Sequence, residues 1–171
     1  MSRSVFTAVL AASAAVGLSL AAAPPRSASS ADKAAPTHVM KNASEMQWGE
    51  GPPELPPGIK ATVLEGDPSK EGFFAMRIKV PAGTVIAPHF HPKEERLTVL
   101  EGSFQLGMAD KVDDSKLQTF TAGSYVSMPG GMHHFAKAKT DVVLQLATNG
   151  PWGITYLNPA DDPRNKTKPT N

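Results

Sequence analysis

From Gly58 to Leu157 the chain is a series of short apolar runs, each cut off within a few residues by glycine, proline or a polar turn. No apolar stretch in this region holds a helical period long enough for a convincing long helix. Phe74, Met76, Ile78 and Val80 share one parity, the period of two that marks a half-buried strand. Pro81-Ala82-Gly83 then turns the chain. Further candidate strands are Lys60–Leu64, Thr84–His91, Leu97–Glu101, Ser103–Met108, Leu117–Thr121, Ser124–Met128, His133–Ala138, Val142–Thr148 and Gly153–Leu157, with a polar loop over Lys111–Lys116. About ten strands at such close spacing predict an all-β antiparallel sandwich or barrel.

The flanks read differently. Arg3 is followed by a stretch from Val5 to Ala23 that is apolar or small throughout, the pattern of a secretory signal, with Ala22 and Ala31 as candidate final residues. An uncleaved membrane anchor is the alternative, since the stretch is about long enough to span a bilayer, but it is rich in alanine and weakly apolar. Residues 1–31 are therefore expected to be the signal and the start of a linker. Residues 32–57 should form an irregular arm, because Gly49, Gly51 and the prolines at 52, 53, 56 and 57 forbid a long helix; Trp48 is its expected anchor. Residues 58–157 make the β domain, and residues 158–171 a loose polar tail. The expected location is outside the cytoplasm, periplasmic or secreted, with no membrane attachment after cleavage.

Charge narrows the partners. Residues 1–31 hold Arg3 and Arg26 and no acid, so without them the 17 basic residues fall to 15 against 16 acidic ones, a formal charge of −1. A nucleic-acid binder usually carries a basic stripe, and none is present. The chain has no cysteine, so an exported domain must rest on its core alone, and a Cys nucleophile is excluded. Neither a glycine-rich phosphate loop nor a serine nucleophile elbow occurs.

Four of the five histidines fall between positions 89 and 134. His89 and His91 are two apart, so on a strand both imidazoles leave the same face. Glu95 follows after Pro92 and Lys93, which allow a bend that would bring a carboxylate back to the two rings; Glu94 could take its place if the bend differs. Two histidines and a carboxylate on one face are a metal-ligand pattern, and one more histidine would leave open positions for water or substrate. Taken singly, His89 and His91 could sit on a solvated strand, and Lys93-Glu94-Glu95-Arg96 could be an exposed turn.

The glycines frame these residues. Gly83, five residues, His89, one residue, His91, three residues, Glu95, six residues and Gly102 follow in order. Downstream come Gly123, five residues, Pro129, one residue, Gly131, two residues and His134. The two blocks resemble the paired motifs of the cupin superfamily, the first without a mismatch and the second with Ala138 where the family carries Asn. The resemblance covers roughly Gly58 to Leu157. It implies a double-stranded β-helix, or jelly-roll barrel, and one divalent transition metal ion on His89, His91, Glu95 and His134, as in germin-like and dioxygenase-like sites. His133 is the competitor for His134; neighbours on a strand face opposite ways, and the motif spacing selects His134.

Mixed nitrogen and oxygen ligation admits Mn, Fe, Ni, Co, Cu or Zn. Glu95 adds a single negative charge, so the bound ion stays net positive and favours an anionic or chelating small molecule. No separate general base is evident, which leaves Glu95 itself, or a hydroxide held by the ion, to take a proton. The cupin resemblance implies, by frequency, a metal-dependent oxidoreductase of the dioxygenase or oxidase type acting on a small organic acid or chelating substrate as the leading expectation. A metal-dependent lyase, isomerase or decarboxylase is the alternative, as is a non-catalytic metal- or ligand-sensing module; a homodimer is the assembly to test. Met128 and Met132 flank the second block and read as core filler rather than copper ligands. Phe74, Met76, Phe104, Leu106, Phe120, Phe135 and Leu144 read as lining or core, Trp152 as a packing plug, and Gln145 as either outward-facing or a donor in the pocket.

Overall fold

Strands cut this short by turns can bury their apolar parity only by stacking one sheet on another. The computed structural model describes residues 38–166, so the signal segment lies outside the described residues, as do the first residues of the arm and the end of the tail. Eleven strands occur among them: β1 (Gly49–Glu50), β2 (Lys60–Glu65), β3 (Gly72–Val80), β4 (Val85–Phe90), β5 (Glu95–Glu101), β6 (Ser103–Gly107), β7 (Leu117–Thr121), β8 (Tyr125–Met128), β9 (His134–Ala138), β10 (Val142–Gly150) and β11 (Thr155–Tyr156). They form two antiparallel sheets in the orders β1-β2-β3-β10-β5-β8 and β11-β4-β9-β6-β7. The only helical elements among the described residues are short 3-10 turns, and no helix there is long and apolar enough to cross a membrane.

The two inner faces share one core. Phe74, Met76, Ile78 and Val80 of β3, Leu97 and Val99 of β5, and Leu144 and Leu146 of β10 meet Ile86, Phe104, Leu106, Ala136 and Ala138 of the other sheet. The sheets remain separate and do not close into a ring, so the jelly roll is an open stacked pair rather than a sealed barrel. The central ladder is β3 against β10, paired continuously from Gly72↔Gly150 to Val80↔Val142. Gly102, at a φ of 81°, makes the turn from β5 to β6, and a side chain there would collide with the Asp141 carbonyl.

Three departures from the sequence reading have local causes. β5 starts at Glu95 rather than Leu97, because Glu95 and Arg96 pair with Met128 and Ser127 although their polarity hides the strand. The arm is anchored in the core by the buried Leu55, whereas Trp48 is half-buried and carries the Lys79 ammonium 4.1 Å from its ring centre. The first part of the polar tail is tied down: the Arg164 guanidinium donates to Asp162, Glu54 and the Ile154 carbonyl. The tail is thereby clasped to the arm and to the segment before β11.

Candidate metal centre

A bulge builds the first half of the site. On a regular strand Ile86 and His89 would face opposite ways, yet both point inward. The pairing of β4 with β9 shifts between Ile86↔Ala136 and His89↔His134, so the extra residue reverses the parity. Pro88, which has no N–H to give the ladder, sits within the shift. His89 and His134 thus lie directly opposite each other on neighbouring strands, their ring centres 4.2 Å apart. His91 leaves the end of β4 on the same face, and Glu95 opens β5 in the other sheet.

All four residues are buried, each 5% exposed or less. Each imidazole has one nitrogen committed to the backbone: Nδ1 of His89 donates to the Ala87 carbonyl (2.7 Å), that of His91 to Gly153 (2.8 Å) and that of His134 to Met132 (2.9 Å). These bonds keep the proton on each Nδ1 and leave Nε2 as the nitrogen that can ligate. The three histidine ligand atoms lie within 4.8 Å of one another. The Glu95 Oε2 reaches 3.4 Å from Nε2 of His91 and 3.8 Å from Nε2 of His134. Three convergent nitrogen donors and one carboxylate, shut away from water, fit a divalent transition cation in both donor type and charge.

The electrostatics agree. Burial, reinforced by the neighbouring His134 and His91, pulls the His89 imidazole down to about 3, so it stays neutral and able to ligate. Burial likewise lowers His134. Burial also opposes charge on His91, but the Glu95 carboxylate beside it and the Gly153 carbonyl outweigh it and hold His91 above its usual range. Glu95 is pushed upward by burial and further downward by His91, His134 and His89, and ends below the ordinary carboxylate range.

The remaining sequence candidates separate cleanly. Glu94 points outward, accepting from Ser127 and Arg96. His133 is also outside, bonded at 2.8 Å to Asp110. Met128 is buried in the core and Met132 is exposed; neither lines the cavity. Gln145 faces outward and accepts from Arg77 across β3, so it is no pocket donor. Phe135 has the outward parity too, yet it is fully buried because Gly107 on β6 leaves room for its ring.

Two contributors were not legible from the motifs. Leu55, from the arm, is part of the cavity wall. Trp152 is another part of it, its ring stacked on His91 with centres 5.5 Å apart and planes at 23°. The cavity is small, about 30 Å³, and apart from the four polar side chains and Trp152 its wall is hydrocarbon, including Ile78, Leu97, Phe104 and Leu146.

Stacked antiparallel sheets with two glycine-framed motifs converging on such a centre give this protein the fold of a cupin. It belongs to the family described as Domain of unknown function (DUF4437), whose model matches residues 22–155. No curated protein sequence matches the chain. Among solved structures it is similar to the polyketide cyclase RemF from Streptomyces resistomycificus, with 18% identity, 74% of this chain and 90% of that one covered, and a TM-score of 0.62. A candidate acetylacetone dioxygenase from Methylibium petroleiphilum shows 18% identity over 77% of this chain and 88% of its own, with a TM-score of 0.59. An RmlC-like cupin from Shewanella frigidimarina shows 19% identity over 66% and 91%, with a TM-score of 0.52. At these identities the likeness is one of fold.

Proposed function

We propose that the protein is a metal-dependent oxidoreductase of the dioxygenase or oxidase type, acting on a small chelating or anionic organic molecule. His89, His91, His134 and Glu95 would hold the ion, which supplies Lewis acidity or, as Fe or Mn, oxygen-activating chemistry. The observation that carries the reading is the cavity wall. Beyond the four candidate ligands and one indole it offers only hydrocarbon, so among the described residues no second acid or base stands in the cavity for the paired proton transfers of a lyase or hydrolase. A space of about 30 Å³ is close to the volume of one or two waters and admits a diatomic gas. A larger substrate must displace part of the wall, and Leu55, Trp152 and Ile154 are its apolar residues outside the strands.

Glu95 has two roles in this reading: it balances part of the cation's charge, leaving a net positive centre for an anionic substrate, and it is the nearest carboxylate to accept a proton. The similarity in fold to a candidate acetylacetone dioxygenase is in keeping with this chemistry. Export also belongs to the proposal; its support is the apolar, small-residue stretch from Val5 to Ala23 behind Arg3.

The test is oxygen uptake by protein of known metal content, over a panel of β-diketones, catechols and small hydroxy or keto acids. Consumption of oxygen coupled to loss of one substrate class supports the reading. Turnover that proceeds equally well without oxygen would replace it with a lyase or isomerase.

A further inference from the structure

Among the described residues, the indole nitrogen of Trp152 is a fully buried side-chain donor with no hydrogen-bond partner. Buried donors without partners are rare because each forfeits its bonds to water. This one belongs to a residue that lines the metal cavity. Its position is also built rather than incidental. The Trp152 backbone N–H donates to the Pro68 carbonyl at 2.7 Å. The next residue, Gly153, accepts from His91 at 2.8 Å, and the Ile154 carbonyl accepts from Arg164 at 3.2 Å. Three successive residues are thus fixed from the β2–β3 turn, the metal site and the C-terminal segment, and the ring itself lies flat on His91.

We infer that Trp152 is a ligand-positioning residue, its indole N–H donating to the acceptor atom of an anion or oxygen-bearing ligand held at the four-residue centre. The inference rests on the metal-binding reading above and adds the group that orients what the ion binds. The hydrocarbon wall offers no other donor, so the direction of this N–H selects among ligands: those with an acceptor atom beside the ion gain a bond, and purely apolar ones leave the indole unsatisfied.

The experiment uses the full chain labelled with 15N and loaded with Zn(II), with azide as the probe. Zinc and azide affinities are measured by calorimetry, and the two indole signals, Trp48 and Trp152, are followed by NMR. Azide should shift the Trp152 indole proton downfield and leave Trp48 in place. Trp152→Phe keeps an aromatic ring over His91 and removes the N–H; azide binding to the zinc-loaded variant should weaken about tenfold, the loss of a hydrogen bond to a charged acceptor. An unmoved Trp152 signal at saturating azide overturns the inference even if the variant fails to fold. So does equal azide affinity in wild type and variant, or zinc held with no azide bound; in these cases the metal reading stands. Failure of the wild-type chain to hold zinc removes the metal reading and this inference together.

Discussion

His91 and Glu95 face each other across the bend between β4 and β5, with Nε2 3.4 Å from Oε2 and both side chains buried. Each is the other's nearest compensation: the carboxylate holds the imidazole above its ordinary range despite burial, and the imidazole contributes to holding the carboxylate below its own. A cation that takes both as ligands must therefore expel the His91 proton, whereas His89, down at about 3, and His134, also lowered, have none to lose. Near pH 6 metal uptake should release about one proton, and affinity should rise with pH until His91 is neutral in the metal-free protein. Calorimetry in buffers of different ionisation enthalpy measures this directly. A heat that does not depend on the buffer would contradict it.

The two adjacent histidines should behave differently. His134 is 2% exposed and lies opposite His89, while His133 lies outside, bonded to Asp110. His134→Ala removes a donor and should weaken metal binding by more than about 100-fold, beyond what loss of an outer partner usually costs. His133→Ala should change it by less than about tenfold. Titration of one metal into each metal-free variant decides the matter, and the reverse ranking would mean that the strand register is misread.

Gly107→Ala should destabilise the protein without touching the site residues. A methyl group there collides with the ring of Phe135, which is fully buried. Overpacking of this kind costs about 1–3 kcal/mol, read as a lower denaturant midpoint. A midpoint equal to wild type would show that the Phe135 ring has room to give.

Metal removal should lower the melting temperature but leave the sheet signal in circular dichroism. The ligands come from both sheets, so an ion ties β4, β5 and β9 together; at 100 times its dissociation constant it adds roughly 2.7 kcal/mol. The shared core of Phe74, Met76, Leu144, Leu146 and their partners does not depend on the ion. Loss of the sheet spectrum on chelation would contradict this.

Much of the fold was legible because its signals are local. The parity of Phe74, Met76, Ile78 and Val80, and the turn residues between strands, need only neighbouring positions to be read. The convergence of His89, His91, Glu95 and His134 was legible through their spacing between framing glycines. Other features were hidden for physical reasons. The bulge at Pro88 reverses parity without any change in composition. Glu95 and Arg96 are strand residues in a charged tetrapeptide. Leu55 and Trp152 reach the cavity from irregular segments, where no period predicts which way a side chain points. Gln145 could be settled only by the position of Arg77 on the neighbouring strand.

The central claim is that His89, His91, His134 and Glu95 hold one ion, and metal content tests it most directly. Protein purified without chelators should carry about one transition-metal ion per chain by elemental analysis, His91→Ala should carry almost none, and His38→Ala, altered in the exposed arm, should match wild type. Equal metal content in His91→Ala and wild type would contradict it.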